Sequence, residues 1–362
     1  MNSHIRILLI AILIAALGIL SIYSGTYQKQ TKLWQLQIVW VILGIASFFI
    51  MSNFNYRRLW DGTYFLYAFA LILLLIVFLL GVERLGAQRW LKVAWFNFQP
   101  SELVKLIMVI FLARYFSKKS VDDVSSLSGK FGIFRALFLP FIFVAIPMGL
   151  IIEQPDLGSG AMILFIFIAM FYLSGVRLRY IFIFLLITIL SLPVLWQILR
   201  GYQKERLLVF LNPDIDPMGA GYTLIQSKIA IGSGSFLGKG WLSGTQSQLH
   251  FLPESHTDFI FATFAEEWGF LGSSALLLMY YLLIREGFLI AQKTSDYFGR
   301  LLAWGISLML GIQVFINIAM TMGLMPVVGL PLPLMSYGGS SMVVTFMALG
   351  ILVNIDKRRA VF

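Results

Sequence analysis

The sequence predicts an all-α polytopic membrane protein, a bundle of about ten transmembrane helices with a large extracytoplasmic loop between helices 7 and 8. Three observations predict it. The 362 residues are 59% hydrophobic and only 12% charged, whereas soluble domains run about 45–50% apolar and ~25% charged. Apolar runs near the roughly 20 residues that cross a bilayer recur ten times along the chain. Lysine and arginine are unevenly shared between alternate loops, as cytoplasmic loops of membrane proteins require.

In order, the runs are residues 5–23, 34–51, 64–80, 101–116, 134–152, 157–173, 180–199, 258–284, 301–324 and 342–355. The fourth, sixth and tenth are short. The first imitates a signal peptide in length, but no small-residue cleavage site stands out, and the charge topology works with it retained. With the N-terminus inside and the spans alternating, sixteen of the 27 Lys and Arg residues fall on the cytoplasmic side, ten on the outer side and Lys105 within a span. Both termini are therefore expected in the cytoplasm. Residues 1–362 read as one membrane domain, with 200–257 as its large outer loop.

The net charge of +10 is mostly this topological signal and suits an anionic lipid surface. The basic residues are dispersed rather than clustered with aromatics, which argues against nucleic acid as a partner. Cysteine is absent, which excludes disulfides, thiolate catalysis and thiolate metal sites. His4, His250 and His256 show no metal-ligand spacing, and no phosphate-binding glycine loop or fixed-period repeat occurs.

Unusual polar residues gather in three outer loops: "ERLGAQRWLKVAWFNFQPSELVK" (83–105), "EQPDLGSG" (153–160) and 200–257. The cytoplasmic stretch "SKKSVDDVSSLSGK" reads as a solvated connector. A loop as long as 200–257 is usually functional or disordered. Its apolar run 222–231, with Gln226 and Lys228 on an amphipathic segment, argues against disorder and for a partly helical cap lying on the membrane surface. A tolerated insertion is the plainer alternative.

Two helix heads face outward. "QPSE" puts Pro100 where a first helical turn accepts it, with Glu102 in that turn and Lys105 three residues on, on the same face. "SHTDF" offers Ser255 or Thr257 as N-cap, with Asp258 in the first turn; on spacing alone, capping and catalysis suit Asp258 equally. Helix N-termini bind phosphate, and two of them with Arg89, Lys105, Lys228 and Lys239 would make an anion site. Charged groups are costly in lipid, so Glu102 and Lys105 are expected to approach Asp258 and Asp156 around one outward-opening cavity. Glu266 and Glu267 lie about 12 Å below Asp258 and point about 100° apart, so they should not share one partner; they read as structural. "GLMPVVGLPLPLMSYGGSS" (323–341), with Pro326, Pro331, Pro333, Gly338 and Gly339, cannot continue a helix. Irregular backbone at membrane depth must be buried in protein or line a cavity, so it is expected as a broken or re-entrant segment beside the same cavity, with Ser340 and Ser341 heading the tenth helix.

The stretches "GAQRWL…FQPSELVK", "QPDLGSG", "QSKIAIGSGSFLGKGWLSGTQSQLHFLPESHTDFIFATFAEEWG" and "GLMPVVGLPLPLMSYGGSS" resemble the SEDS family (shape, elongation, division and sporulation), most closely its rod-shape-determining RodA branch. The resemblance runs from about Arg84 to the C-terminus. It implies a ten-helix peptidoglycan glycosyltransferase of the bacterial cytoplasmic membrane, which polymerises lipid II at the outer face during cell elongation and rod-shape maintenance. It implies as partners a class B penicillin-binding transpeptidase, other elongation-complex membrane proteins, lipid II and polyprenyl-pyrophosphate-linked glycan. It makes Asp258 the essential acid and brings Arg89, Glu102, Lys105, Asp156, Gln226 and Lys228 in as important polar positions. Lys239, Glu254, His256 and Ser340 join them as substrate-binding candidates. The family has also been proposed to flip lipid II, the alternative reading. The implied reaction expels pyrophosphate and inverts the anomeric carbon in one displacement, so it needs one base and positive charge for the phosphates, without a nucleophilic carboxylate. A divalent cation (Mg or Mn) is compatible with bridging phosphates, but the sequence names no ligand set for one and points to no other cofactor.

Overall fold

The computed structural model describes residues 3–27, 31–84, 87–93, 96–117, 138–176, 178–199, 201–216, 219–249 and 251–359. In chain order the elements are α1 (Ser3–Thr26), α2 (Leu33–Asn53), α3 (Arg57–Leu80), β1 (Val82–Arg84), β2 (Ala87–Val93), β3 (Phe96–Phe98), α4 (Pro100–Ser117), α5 (Leu139–Glu153), α6 (Leu157–Leu173) and α7 (Leu178–Ile198). They continue with α8 (Gly201–Leu211), α9 (Ala220–Ser233), α10 (Thr245–Gln248), α11 (Ile260–Lys293), α12 (Tyr297–Thr321) and α13 (Gly339–Arg358). Among the described residues, six helices (α1, α2, α3, α11, α12 and α13) are long and apolar enough to cross a membrane. The protein is a mostly helical, multi-pass membrane protein. The expected connector at 118–130, the start of the expected fifth span at 134–137, and His250 lie outside the described residues.

The strands correct the all-α expectation. In the stretch expected as loop, β1, β2 and β3 form a three-stranded antiparallel sheet in that order, with Val82 opposite Trp90 and Leu91 opposite Phe98. Pairing satisfies backbone groups that a loop would leave to water. Strands of three and seven residues leave almost no periodic trace beside apolar runs of twenty.

The chain forms two compact units. One comprises Met1–Ala46, Leu199–Ile284 and Leu310–Phe346; the other Ser47–Ile198, Arg285–Met309 and Met347–Phe362. In the second unit, α4 is buried nearly all round and packs against α3, α5 and α6. Burial on every face suits its apolar residues and leaves its few charges needing partners inside the protein. Arg114, near its end, places its guanidinium over the rings of Tyr64 and Trp60, 4.3 and 5.4 Å from their centroids. By contrast α3 buries only a stripe (Tyr67, Ala70, Leu74, Val77) and exposes Phe65, Leu79 and Leu80, as a lipid-facing helix does.

In the first unit, α11 is not the continuous span the sequence predicts. It breaks at Gly269, where φ is 62° and ψ −160°, a region essentially reserved for glycine. A break strands carbonyls above it and N–H groups below it. The turn 234–240 takes both sets. Lys239 N and Gly240 N donate to the carbonyls of Glu266 and Glu267, each at 3.0 Å, while Phe270 N and Leu271 N donate to Ser235 O and Phe236 O at 3.0 and 3.1 Å. The two backbones touch: a Cβ at Gly269 would lie 2.2 Å from Gly238 N, and one at Gly238 would lie 2.1 Å from Glu267 O.

Gly269→Ala should therefore destabilise the protein by about 1–3 kcal/mol from backbone conformation alone, with a further cost from the clash. Gly232→Ala, in α9 with nothing within 4 Å of its Cβ position, should be neutral or stabilising by about 0.5–1 kcal/mol. Thermal unfolding in detergent checks the contrast. Equal melting temperatures would mean that the close backbone approach does not build the break.

Candidate active site

Asp258 belongs to the first unit, in a run of turns from Leu252 to Phe259 that leads into α11. The expectation that it sits in the first helical turn is corrected: the helix begins at Ile260, two residues later. The reason is the backbone of the turn. Thr257 N and Phe259 N both donate to Glu254 O, at 3.1 and 3.2 Å, and this keeps 254–259 wound tightly ahead of the helix.

Four consecutive carbonyls of this turn each receive a donor from elsewhere. Ser255 O accepts from Thr263 Oγ1 at 3.1 Å, and His256 O accepts from Tyr337 N at 2.9 Å. Thr257 O accepts from Ser336 Oγ at 2.6 Å, and Asp258 O accepts from Asn317 Nδ2 at 3.0 Å. The donors come from α11, the proline-rich segment and α12. Asp258 itself is half-buried. Its Oδ2 would lie 3.3 Å from a Cβ built on Gly329, whose φ is +70°. Only a glycine lets the carboxylate approach that backbone so closely without strain.

The proline-rich segment is non-helical from Leu324 to Gly338, as its prolines predict, and its inner part is buried. Its carbonyls are satisfied one by one. Leu330 O accepts from Asn317 Nδ2 at 2.7 Å and Pro331 O from Gln313 Nε2 at 2.9 Å. Pro333 O accepts from Tyr280 OH at 2.6 Å and Ser336 O from Gln37 Nε2 at 3.0 Å. Ser340, at the head of α13, is buried.

The other first-unit candidates lie on α9, in the loop that follows it and within the turn itself. On α9, Gln226 is half-buried and Lys228 exposed. Ser227 between them donates to Thr321 O at 2.7 Å, docking α9 on the end of α12. There Leu324 N reaches back to Ala319 O at 2.8 Å and Gly323 N to Met320 O at 3.1 Å, closing the helix, and the Lys228 side chain lies over Gly323. A cation at a helix C-terminus is favourable. Glu254 is exposed and its Oε2 accepts from Thr257 Oγ1 at 2.9 Å. The His256 ring stands 6.0 Å from that of Tyr337.

Lys239 is tied to Glu266. Its Nζ lies 2.7 Å from Glu266 Oε1 and donates to Thr245 Oγ1 at 2.8 Å. Glu266 Oε1 also accepts from Thr245 N and Gln246 N at 2.9 and 3.1 Å. Glu267 turns to another element and accepts from Ser24 Oγ of α1; its Oε2 is buried with no hydrogen-bond partner among the described residues.

Arg89, Glu102, Lys105 and Asp156 belong to the second unit. Asp156 caps α6, its Oδ1 accepting from Ser159 N at 3.1 Å, while Gln99 Nε2 and Ser101 Oγ reach its Oδ2 at 3.3 Å each. The Arg89 guanidinium lies 3.8 Å from Asp156 Oδ1 and also donates to Pro155 O. One turn into α4, Lys105 Nζ meets Glu102 Oε1 at 2.8 Å with both side chains almost wholly buried. Pairing removes the net charge that makes such burial costly. Among the described residues, no three His, Asp or Glu side chains gather as a metal site.

The residues missed from sequence are amides and hydroxyls: Asn317, Gln313, Ser336, Gln37, Gln99 and Ser101. The signal was weak but present, since Gln313 and Asn317 are four apart in an apolar helix, and such pairs mark an inward face.

Fold and site together define a polytopic helical membrane protein whose irregular, buried backbone holds an acid at the head of a broken helix. Residues 4–360 match the model of the FtsW, RodA and SpoVE family, described as cell cycle protein, and the chain belongs to that family. It is 39% identical over 353 residues to the peptidoglycan glycosyltransferase MrdB of Escherichia coli strain K12, covering 97% of this chain and 93% of that one. It is 35% identical over 366 residues to stage V sporulation protein E of Bacillus subtilis strain 168, covering 98% and 97%. Among solved structures it resembles a chain of a peptidoglycan synthase complex that coordinates polymerization and crosslinking, with TM-score 0.82, 31% identity and coverage of 98% and 97%. It also resembles the rod shape determining protein RodA of Thermus thermophilus, with TM-score 0.72, 28% identity and coverage of 98% and 96%.

The two adjacent glutamates should respond differently to substitution. Glu266→Ala strands the Thr245 and Gln246 amides and should cost about 1–3 kcal/mol for each donor left buried. Glu267→Gln removes a charge whose Oε2 has no partner and should be neutral or stabilising. Melting temperatures of the purified variants check this, and a Glu267→Gln loss as large as that of Glu266→Ala would contradict it.

Proposed function

We propose that this protein is a peptidoglycan glycosyltransferase of the bacterial cytoplasmic membrane. It polymerises lipid II at the outer face during elongation and rod-shape maintenance, with Asp258 as the base. Support for the activity comes from similarity along nearly the whole chain to proteins that carry that name. The observation that carries the role of Asp258 is the turn around it, whose backbone is fixed by four separate donors.

Asp258 takes the proton of the acceptor sugar hydroxyl as that oxygen bonds to the donor's anomeric carbon. The bond from that carbon to the polyprenyl pyrophosphate breaks, and the pyrophosphate leaves as an anion. One displacement inverts the centre, so a single base suffices and no glycosyl-enzyme forms. The first-unit residues Gln226, Lys228, Lys239, Glu254, His256 and Ser340, and the second-unit residues Arg89, Glu102, Lys105 and Asp156, are the proposed substrate contacts. For Lys239 and Asp156 the proposal is narrower. Lys239 braces Glu266 and Asp156 caps a helix, so each acts by holding its neighbours. A divalent cation, Mg or Mn, enters this scheme only as an ion carried on the substrate's phosphates, and no residue is assigned to it.

The proposed topology has ten spans, both termini in the cytoplasm and residues 200–257 as a partly helical cap outside. A class B penicillin-binding transpeptidase is the proposed partner, with other elongation-complex membrane proteins around the pair. The similar chain from a synthase complex supports a transpeptidase companion.

Two outcomes are expected. Asp258→Asn keeps the shape, and polymer yield from labelled lipid II, with purified protein and its bound transpeptidase, should fall by about 10²–10⁴-fold. Glycan strands made at close to the wild-type rate would remove Asp258 from catalysis. In a chain without cysteine, Ser243→Cys, at an exposed position, should react with an impermeant thiol reagent only from outside the cell. Labelling only from the cytoplasmic side would invert the topology.

A further inference from the structure

We propose that Asn317 is a positioning residue for Asp258, a side chain that fixes the acid's backbone against the proline-rich segment. The inference rests on the reading of Asp258 as the base. Asn317 is fully buried on α12, on the same face as the buried Gln313 and Thr321 one turn to either side. Its Nδ2 donates to Asp258 O at 3.0 Å and to Leu330 O at 2.7 Å. The two acceptors lie 59 and 13 positions away in sequence, so one amide group joins two stretches of non-helical backbone far apart in the chain. Both acceptors are carbonyls, and this settles which end of the amide faces them, since only the NH2 end donates.

The consequence for the acid is geometric. Leu330 follows Gly329, whose backbone lies against the Asp258 carboxylate, 3.3 Å from Oδ2 to the position of an added Cβ. Asn317 therefore ties the main chain of the acid and the wall beside its carboxylate to one point. Ser336 makes a parallel tie one residue earlier. Its Oγ donates to Thr257 O at 2.6 Å and accepts from Leu332 N at 2.7 Å. With both ties made, the turn cannot shift along the segment. Displacing a reacting group by about 1 Å can cost 10²-fold in rate, so loss of either tie should act on turnover more than on substrate affinity.

The test compares Asn317→Asp, which keeps the volume and removes the donor, Asn317→Ser, which shortens it, and Ser336→Ala. Each is purified with its transpeptidase and assayed on labelled lipid II beside Asp258→Asn. The folded fraction is measured by size-exclusion and thermal unfolding, and rates are expressed per folded molecule. The expected result for the 317 variants is a kcat lower by about 10- to 100-fold with KM changed less than about twofold. Residual activity should keep the wild-type pH profile, because the base is still Asp258. Ser336→Ala should show the same split to a smaller degree, and it carries the test alone if neither 317 variant folds. Folded variants with wild-type kcat, or with loss confined to KM or to melting temperature, would overturn the inference. The two failures are separable: an active Asp258→Asn defeats the base itself, whereas an inactive Asp258→Asn beside normal 317 and 336 variants defeats only the positioning role.

Discussion

A backbone amide or carbonyl buried away from water must find its partner inside the protein, and this constraint organises the part of the chain that carries Asp258. Helices meet it without help. Where the first unit departs from helix at the break at Gly269 and along the segment from Leu324 to Gly338, each departure is met with a dedicated set of donors and acceptors. At Gly269 the partner is another piece of backbone, the turn 234–240, which supplies two donors and two acceptors in register. In the proline-rich segment the partners are side chains, Asn317, Gln313, Tyr280 and Gln37. Prolines have no N–H to complete a ladder, so their neighbours' carbonyls must be served individually.

The same constraint explains carboxylates deep in an apolar helix. Glu266 and Glu267 sit directly above the break, and their main-chain carbonyls are the ones taken by Lys239 and Gly240. The Glu266 side chain then gathers the next part of that loop, the ammonium of Lys239 and the amides of Thr245 and Gln246. Gln246 O in turn accepts from Leu252 N at 3.0 Å. Leu252 packs in a small core with Ala230, Phe259 and Ala262, the last two flanking the start of α11. The glutamate thus serves as an internal cap for a loop, and the loop delivers the chain to the turn that holds Asp258.

The six long apolar helices were legible because each carries about twenty apolar residues in succession. The strands were not, because β2 is short and mixes Arg89 and Lys92 with Trp90 and Leu91. The break at Gly269 was hidden for a different reason. A lone glycine in an apolar run is tolerated in a helix, and its partner Gly238 is thirty-one residues earlier, so only the fold brings them together. Asp258 stood out through its neighbours in sequence. Asn317 did not, since everything it touches is main chain, and main chain leaves no trace in a residue list. The placement of Asp258 in a first helical turn went astray because Ser255 and Thr257 are good caps by type, whereas the two hydrogen bonds that Glu254 O accepts, from Thr257 N and Phe259 N, delay the helix to Ile260.

That delay sets Asp258 on non-helical backbone two residues ahead of the helix. The main chain of this turn is anchored from outside. Four carbonyls fix residues 255–258, and the segment that supplies two of those donors also sets Gly329 against the carboxylate. The same contacts therefore locate both the backbone of Asp258 and the wall beside its carboxylate. A side chain carried on backbone held at four consecutive carbonyls is displaced only when several hydrogen bonds break together.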